Sequence, residues 1–139
     1  MIDQPILPQK YDTVMIIDDN NIDLYVASRV IQKTGFAENV LRYTSAREAL
    51  QYLKEHSDTI PALPEVIFVD IYMPDMSGFE FMAAYDGLAP QLKKHCHAYI
   101  ISSSLDENDI ARAHKDKNVV AFHEKPITAE FLRNVLGKS

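Results

Sequence analysis

The stretch that decides the fold spans residues 66–78 and reads VIFVDIYMPDMSG. Its first four residues are apolar, and the ionisable residue Asp70 follows them directly. A short, unbroken apolar run is typical of a parallel strand that is buried on both faces of a sheet. The stretch therefore predicts a central strand that carries a carboxylate at its carboxyl end, where the chain leaves the core.

Four further short apolar runs predict the other strands, at residues 13–18, 39–43, 98–101 and 119–122. A helical pattern follows each of the five runs, and Gly87 and Pro90 are expected to disturb the third helix or the loop after it. Strands that alternate with helices form a parallel sheet covered on both faces. The sequence therefore predicts an α/β fold, a flavodoxin-like (βα)5 three-layer sandwich with five parallel strands in the order 2-1-3-4-5.

Short polar side chains mark the positions where the helices are expected to begin. Asn20 or Asn21 is expected to cap the first helix and Thr128 the last. Ser45 and Ser104 each precede a glutamate by three residues, and this capping-box pattern predicts the starts of the second and fourth helices. The first helix carries two apolar stripes at helical spacing, one with Ile22, Val26 and Val30 and one with Leu24, Ala27 and Ile31.

The length and composition of the chain indicate one domain. The chain has 139 residues, of which 47% are hydrophobic and 24% are charged, and this composition supplies enough apolar side chains for a core. Residues 1–12, which include Pro5 and Pro8, are predicted to be a loose lead-in, and residues 13–139 are predicted to form the domain.

The composition also argues against several classes of protein. The longest apolar run, residues 81–85, is far shorter than the ~18 residues that span a bilayer, and no signal segment opens the chain. The formal net charge of -6 argues against direct binding to nucleic acid. Cys96 is the only cysteine, which excludes an internal disulfide and suits a reducing compartment. We therefore expect a cytoplasmic protein that binds neither nucleic acid directly nor a membrane.

Polar residues follow four of the five predicted strands. Asp18 and Asp19 follow the first strand, Asp70 the third, the serines at residues 102–104 the fourth, and Lys125 the fifth. Each of these residues alone would usually be a turn residue, a helix cap or a solvated side chain. Because the carboxyl ends of parallel strands lie at one edge of the sheet, we expect the four sets to converge there.

The expected cluster of three carboxylates is electrostatically unfavourable. Two like charges ~4 Å apart repel by ~4 kcal/mol at an effective dielectric constant near ~20. This repulsion would raise the pKa of at least one carboxyl group. A divalent cation would relieve it, and oxygen ligands of this kind suit Mg²⁺, or Mn²⁺ in its place. The spacing therefore predicts a cation site beside the ammonium group of Lys125.

The sequence resembles the receiver domain of two-component response regulators over residues 14–136. The resemblance rests on the order and spacing of Asp18, Asp19, Asp70, Met73, Pro74, Gly78, Ser102, Lys125 and Pro126. In this family the bond between Lys125 and Pro126 is commonly cis. The resemblance implies a phosphoprotein of phosphorelay signal transduction.

The resemblance also implies which residues accept the phosphate and bind the metal. Asp70 looks like the phosphorylation site, whose carboxylate takes the phosphoryl group from a phosphohistidine on a sensor histidine kinase. Asp19, Asp70 and the backbone carbonyl of Tyr72 would bind Mg²⁺ directly. Asp18 would act through a metal-bound water.

Five residues would sense the phosphate or set its lifetime, according to the same resemblance. Ser102 would donate a hydrogen bond to a phosphoryl oxygen, and Lys125 would pair with the phosphate. Phe122, three residues before the lysine, would be the aromatic switch residue. Tyr72 and Ser104, each two residues after a site residue, would tune the lifetime, and we expect the bulk of Tyr72 to hinder an attacking water.

The function implied by the resemblance is that of a single-domain response regulator. Phosphorylation would switch a partner-binding face made by the fourth helix, fifth strand and fifth helix, in a monomer or a phosphorylation-dependent dimer. The domain would catalyse its own phosphorylation and dephosphorylation without being a conventional enzyme. Two alternatives remain open: a phosphorelay intermediate that passes phosphate to a histidine phosphotransfer protein, and a phosphorylation-independent adaptor. A haloacid dehalogenase-type phosphatase is disfavoured, because Tyr72 stands where its second acid belongs.

Overall fold

A computed structural model describes residues 11–138 of the chain. Residues 1–10 of the predicted lead-in therefore lie outside the described residues. The first strand, β1, spans Tyr11–Ile17, so that Tyr11 and Asp12 belong to the sheet. The predicted lead-in was thus wrong at its last two residues. The amide of Tyr11 donates to the carbonyl of Phe36, which lies just before the next strand, and Tyr11 pairs with Ala37 at the start of that strand.

Residues 11–138 form five strands and six α-helices, which alternate except that two helices in succession follow the third strand. The elements are β1 Tyr11–Ile17, α1 Asn21–Thr34, β2 Ala37–Tyr43, α2 Ala46–Glu55, β3 Val66–Asp70, α3 Gly78–Asp86, α4 Pro90–His95, β4 His97–Ser102, α5 Glu107–Lys115, β5 Val119–Glu124 and α6 Ala129–Lys138. The expected disturbance near Pro90 is a short extra helix, α4, because proline at a first helical position starts a helix well. The predicted fourth and fifth helices therefore correspond to α5 and α6.

The strands form one parallel sheet in the order β2-β1-β3-β4-β5, which confirms the predicted topology. The register aligns their carboxyl ends: Ile17 pairs with Val69, Asp70 with Ile101, and Ser102 with Glu124. The residues that follow the strands consequently emerge at one edge.

Two apolar clusters fill the spaces on either side of the sheet. Met15 and Ile17 of β1 face the cluster covered by α2, α3, α4 and α5, whereas Val14 and Ile16 face the cluster covered by α1 and α6. Each fully buried side chain of this size contributes about 1.5–3 kcal/mol. The central strands are therefore a rigid support for the groups at their carboxyl ends.

Only one of the two predicted apolar stripes of α1 packs fully against the sheet. Leu24, Ala27 and Ile31 are buried. In the other stripe, Ile22 is 74% exposed and Val26 is 43% exposed. A surface helix has one face against the core, and the pattern of two stripes could not show which face this would be.

Most of the predicted helix caps are present, and one is wrong. The side chain of Asn20 caps α1, that of Ser45 caps α2, and the hydroxyl of Thr128 accepts the amide of Phe131 at 3.1 Å. Ser104 does not cap α5. The carboxylate of Asp106 accepts the first free amides of this helix instead, because aspartate is itself a strong cap. Within residues 11–138, every helix is too short or too polar to span a lipid bilayer.

Candidate functional site

The four predicted sets of polar residues meet at the carboxyl edge of the sheet. Asp18 follows β1, Asp70 is the last residue of β3, Ser102 is the last residue of β4, and Lys125 follows β5. The backbone amide of Lys125 donates to the carbonyl of Ser102 at 2.7 Å, and this hydrogen bond joins the ends of the last two strands. The bond between Lys125 and Pro126 is cis.

Lys125 lies among three carboxylates. Its Nζ atom is 2.7 Å from Oδ2 of Asp18, 3.0 Å from Oδ2 of Asp23 and 3.5 Å from Oδ1 of Asp70. Burial lowers the pKa of Lys125, but the hydrogen bonds to Asp18 and Asp23 and the charge of Asp70 raise it overall. Lys125 is therefore a partly buried cation at neutral pH.

Asp23 was not predicted as a site residue. It lies in the first turn of α1, where an acidic residue is already favoured by the helix dipole. Nothing in the local sequence distinguishes that ordinary role from a contact with Lys125, which is 102 residues away along the chain.

Asp70 is held in a site that disfavours its charge. The residue is 6% exposed, and its pKa is raised from 3.8 to about 6, mainly by burial and to a smaller extent by the charge of Asp18. Lys125 and the backbone amide of Ile71 lower the pKa, but they do not cancel the effect of burial. A proton, a metal ion or an electrophile near Asp70 would relieve this cost.

The carboxylates of Asp18, Asp19 and Asp70 can share a metal ion. One oxygen from each lies within 4.8 Å of the others, and three carboxylates are a donor set that suits Mg²⁺. Both oxygens of Asp18 already have partners: Oδ1 accepts the amide of Asn20 at 2.9 Å and Oδ2 contacts Lys125. Asp19 is exposed. The geometry therefore favours Asp19 and Asp70 as direct ligands.

The start of α3 is pressed against the end of β3. The amide of Gly78 donates to the carbonyl of Ile71 at 2.8 Å. A Cβ atom at residue 78 would overlap the carbonyl oxygen of Asp70 and would lie 3.0 Å from the Cα atom of Ile71. Ser77 and Glu80 fix this approach with a capping box. The spacing of Ser77 and Glu80 in the sequence matches this capping box.

The hydroxyl-bearing side chains beside β4 have local partners in this structure. Ser102 is fully buried, and its Oγ atom accepts the amide of Ser104 at 3.1 Å. Ser104 is exposed. Phe122 is partly buried and packs against the cluster beneath α2 to α5. The roles of these three residues in switching and in phosphate lifetime stay predictions.

Tyr72 reaches across the site to α5. Tyr72 is 56% exposed, and its hydroxyl donates a hydrogen bond to Oδ2 of Asp109. Asp109 lies in the first turn of α5. The contact therefore connects the loop after β3 with the helix after β4, and no sequence pattern indicated it.

A five-stranded 2-1-3-4-5 sheet with an acidic pair, a strand-end aspartate, a hydroxyl and a lysine at one edge defines a receiver domain. The family model described as the response regulator receiver domain matches residues 14–137. The chain therefore belongs to the response regulator receiver domain family, as the resemblance indicated.

Solved structures and curated proteins of this family resemble the chain. A two-component response regulator from Cytophaga hutchinsonii has 31% sequence identity and a TM-score of 0.86, over 94% of this chain and 97% of that one. A response regulator receiver protein from Dyadobacter fermentans has 28% identity and a TM-score of 0.82, over 91% and 95%. The polar-differentiation response regulator DivK of Brucella ovis is 32% identical over 68 residues, which are 49% of this chain and 49% of DivK.

Membership of the family establishes a general role. Receiver domains take part in two-component signalling based on phosphorylation, and they interact with histidine kinases and phosphotransfer partners. They are not conventional enzymes, and Mg²⁺ binding in an acidic pocket is typical of them. The aspartate cluster of this chain could hold such an ion.

Replacing Asp19 with asparagine is expected to separate metal binding from stability. Without metal the variant should be more stable than the wild type by up to ~1 kcal/mol, because one of three clustered charges is removed from an exposed position. Mg²⁺ affinity should fall by at least about tenfold, since a ligand is lost. Thermal melts in chelator and in Mg²⁺ measure both effects, with Asp12→Asn at the opposite end of β1 as the charge-matched control. A variant that melts below the wild type in chelator would count against a repulsive cluster.

Proposed function

We propose that the domain accepts a phosphoryl group on Asp70 from a phosphohistidine of a sensor histidine kinase. The observation that carries this proposal is the position of the Asp70 carboxylate, which is 3.5 Å from Nζ of Lys125 and is grouped with the carboxylates of Asp18 and Asp19. Burial raises the pKa of Asp70, so that its ionised form is unfavourable in this site. Phosphorylation or binding of a cation would relieve this unfavourable charge. The single free cysteine, Cys96, fits a cytoplasmic setting for this reaction.

The transfer would proceed by attack of a carboxylate oxygen of Asp70 on phosphorus. The bond between phosphorus and the imidazole nitrogen breaks, its electron pair stays on that nitrogen, and an acyl phosphate forms on Asp70. Lys125, which is protonated, would offset charge on the phosphoryl oxygens. Mg²⁺, or Mn²⁺, held by Asp19, Asp70 and the carbonyl of Tyr72 and through a water by Asp18, would add the remaining positive charge.

Phosphorylation would change the partner face by moving Ser102. Its Oγ atom accepts the amide of Ser104, which leaves the hydroxyl hydrogen free to donate, and the hydroxyl would approach a phosphoryl oxygen by an inward movement of its loop. That movement would displace the loop before α5 and would draw Phe122 further inward from its partly buried position. Since α5 has only one fully buried residue, Ala113, it is held less firmly than the central strands. The proposed partner face is made by α5, β5 and α6.

A small-molecule phosphodonor tests this proposal. Incubation with acetyl phosphate and Mg²⁺ is expected to give one covalent phosphoryl group per chain, and chelator or Asp70→Asn should abolish it. Continuous release of inorganic phosphate at a high rate would instead indicate a phosphatase, and no reaction with either donor or kinase would indicate an adaptor.

The lifetime of the phosphate is expected to depend on the ring of Tyr72. The contact with Asp109 holds this ring over the region between β3 and α5, where it would hinder an attacking water. Tyr72→Asn should therefore shorten the half-life of the phosphorylated protein several-fold, as measured by the decay of intact mass after the donor is removed. Tyr72→Phe keeps the ring but loses the contact with Asp109 that holds it, so its half-life should lie between those of Tyr72→Asn and the wild type. Equal half-lives for the wild type and Tyr72→Asn would show that the ring does not shield the phosphate.

A further inference from the structure

Lys125 has one more carboxylate partner than its proposed role requires. The contacts to Asp18 and Asp70 follow from the placement of all three residues at the ends of neighbouring strands. The contact of 3.0 Å to Asp23 does not, since Asp23 lies on α1. The side chain of Lys125 is only 13% exposed. Each carboxylate partner therefore influences the position of its ammonium group.

Asp23 belongs to a small bonded unit at the start of α1. The carboxylate of Asp18 accepts the amide of Asn20 at 2.9 Å, and the side chain of Asn20 accepts the amide of Asp23 at 3.0 Å. This unit fixes Asp18 and the backbone of Asp23. Its two carboxylates make the two shortest contacts of Lys125, while the contact to Asp70 is the longest of the three at 3.5 Å.

Asp18 and Asp23 differ in how much the loss of the contact with Lys125 would cost. The side chain of Asp18 is 2% exposed, so its charge would lose nearly all compensation if the ammonium group moved away. The side chain of Asp23 is 43% exposed and borders an open groove that is lined also by Val26 and Ile127. Water can therefore replace Lys125 at Asp23 at little cost.

We propose that Asp23 is a positioning residue that holds Lys125 toward α1 while Asp70 carries no phosphate and that competes with the phosphoryl group for this ammonium. The inference rests on the proposed phosphorylation of Asp70. Asp23 thereby sets how strongly the site holds a phosphoryl group without touching that group itself. Removal of its charge leaves Lys125 with one fewer competing partner.

The expected effect is that of a partly exposed ion pair. The loss of such a pair changes an equilibrium about two- to fivefold. Asp23→Asn should therefore bind beryllofluoride, a stable mimic of the phosphoryl group, about two- to fivefold more tightly than the wild type in the presence of Mg²⁺. Asp23→Glu, which restores the carboxylate, should return the affinity toward that of the wild type.

Titration of beryllofluoride into Mg²⁺-loaded protein, followed by amide NMR shifts at the ends of β3 and β4, tests the inference. Asp12→Asn removes the same charge at the opposite end of β1 and should match the wild type. The ¹⁵Nζ resonance of Lys125 in the free protein should move in Asp23→Asn and stay in place in Asp12→Asn. Equal or weaker binding by Asp23→Asn, with a wild type that binds, would overturn the inference. Failure of the wild type to bind would overturn the proposed function instead.

Discussion

Replacing Gly78 with alanine is expected to lower the free energy of unfolding by about 3 kcal/mol and to disturb the proposed phosphorylation site at the same time. The added Cβ atom would overlap the carbonyl oxygen of Asp70 and would lie 3.1 Å from its carbonyl carbon. These are backbone atoms of the central strand, which cannot turn aside as a flexible side chain can. Overpacking of this kind costs about 1–3 kcal/mol and occasionally more. Urea unfolding followed by circular dichroism measures the change.

Gly137 provides the matched control for this substitution. It lies in α6, and an added Cβ atom would meet nothing within 4 Å. Gly137→Ala should therefore be neutral or more stable by up to about 1 kcal/mol, because alanine favours the helix. If Gly78→Ala unfolds at the same urea concentration as Gly137→Ala, the close approach of α3 to the end of β3 is not the constraint described here.

Replacing Asp70 with asparagine is expected to stabilise the metal-free protein at neutral pH. Because the pKa of Asp70 is raised from 3.8 to about 6 in the folded chain, its ionisation costs stability. The cost is complete above pH ~6 and absent below pH ~3.8, and a shift of this size corresponds to roughly 3 kcal/mol. Asparagine carries no charge to ionise. At pH 7 in chelator, the free energy of unfolding of Asp70→Asn should therefore exceed that of the wild type by roughly 1–3 kcal/mol.

The pH dependence of that difference is the decisive part of the prediction. The stability advantage of Asp70→Asn should shrink as the pH falls from about 7 to about 4, because the wild-type carboxyl group then takes up its proton. Other acidic groups titrate in both proteins and largely cancel in the difference. Denaturant unfolding of both proteins at a series of pH values gives this curve. An advantage that stays constant with pH would mean that burial does not raise the pKa of Asp70.

The parallel sheet and the gathering of the site could be predicted from the sequence because both follow from the backbone, whereas the strand order 2-1-3-4-5 was chosen by analogy with the flavodoxin-like fold. Short apolar runs separated by helical patterns specify a parallel sheet, and parallel strands deliver the residues after them to one edge. Asp18 and Lys125 directly follow a strand, and Asp70 and Ser102 each end one, so their convergence needs no knowledge of side-chain packing.

The contacts that the sequence did not indicate depend on how helices are seated. Asp23 reaches Lys125 only because α1 packs with Leu24 and Ala27 inward, and the competing stripe with Ile22 looked equally suitable. The contact of Tyr72 with Asp109 depends similarly on where α5 begins. That helix was placed too early, since Ser104 and Asp106 are both good caps and only the fold decides between them.

The central claim is that Asp70 is the phosphate acceptor, and chemical trapping tests it most directly. After incubation with acetyl phosphate and Mg²⁺, borohydride reduces an aspartyl phosphate to homoserine, and peptide mass spectrometry identifies the residue that has changed. We predict conversion of Asp70 in the wild type, reduced strongly by chelator. Conversion of Asp18, Asp19 or Asp23 with Asp70 unchanged, or no conversion in protein that is shown to be folded, would contradict the account.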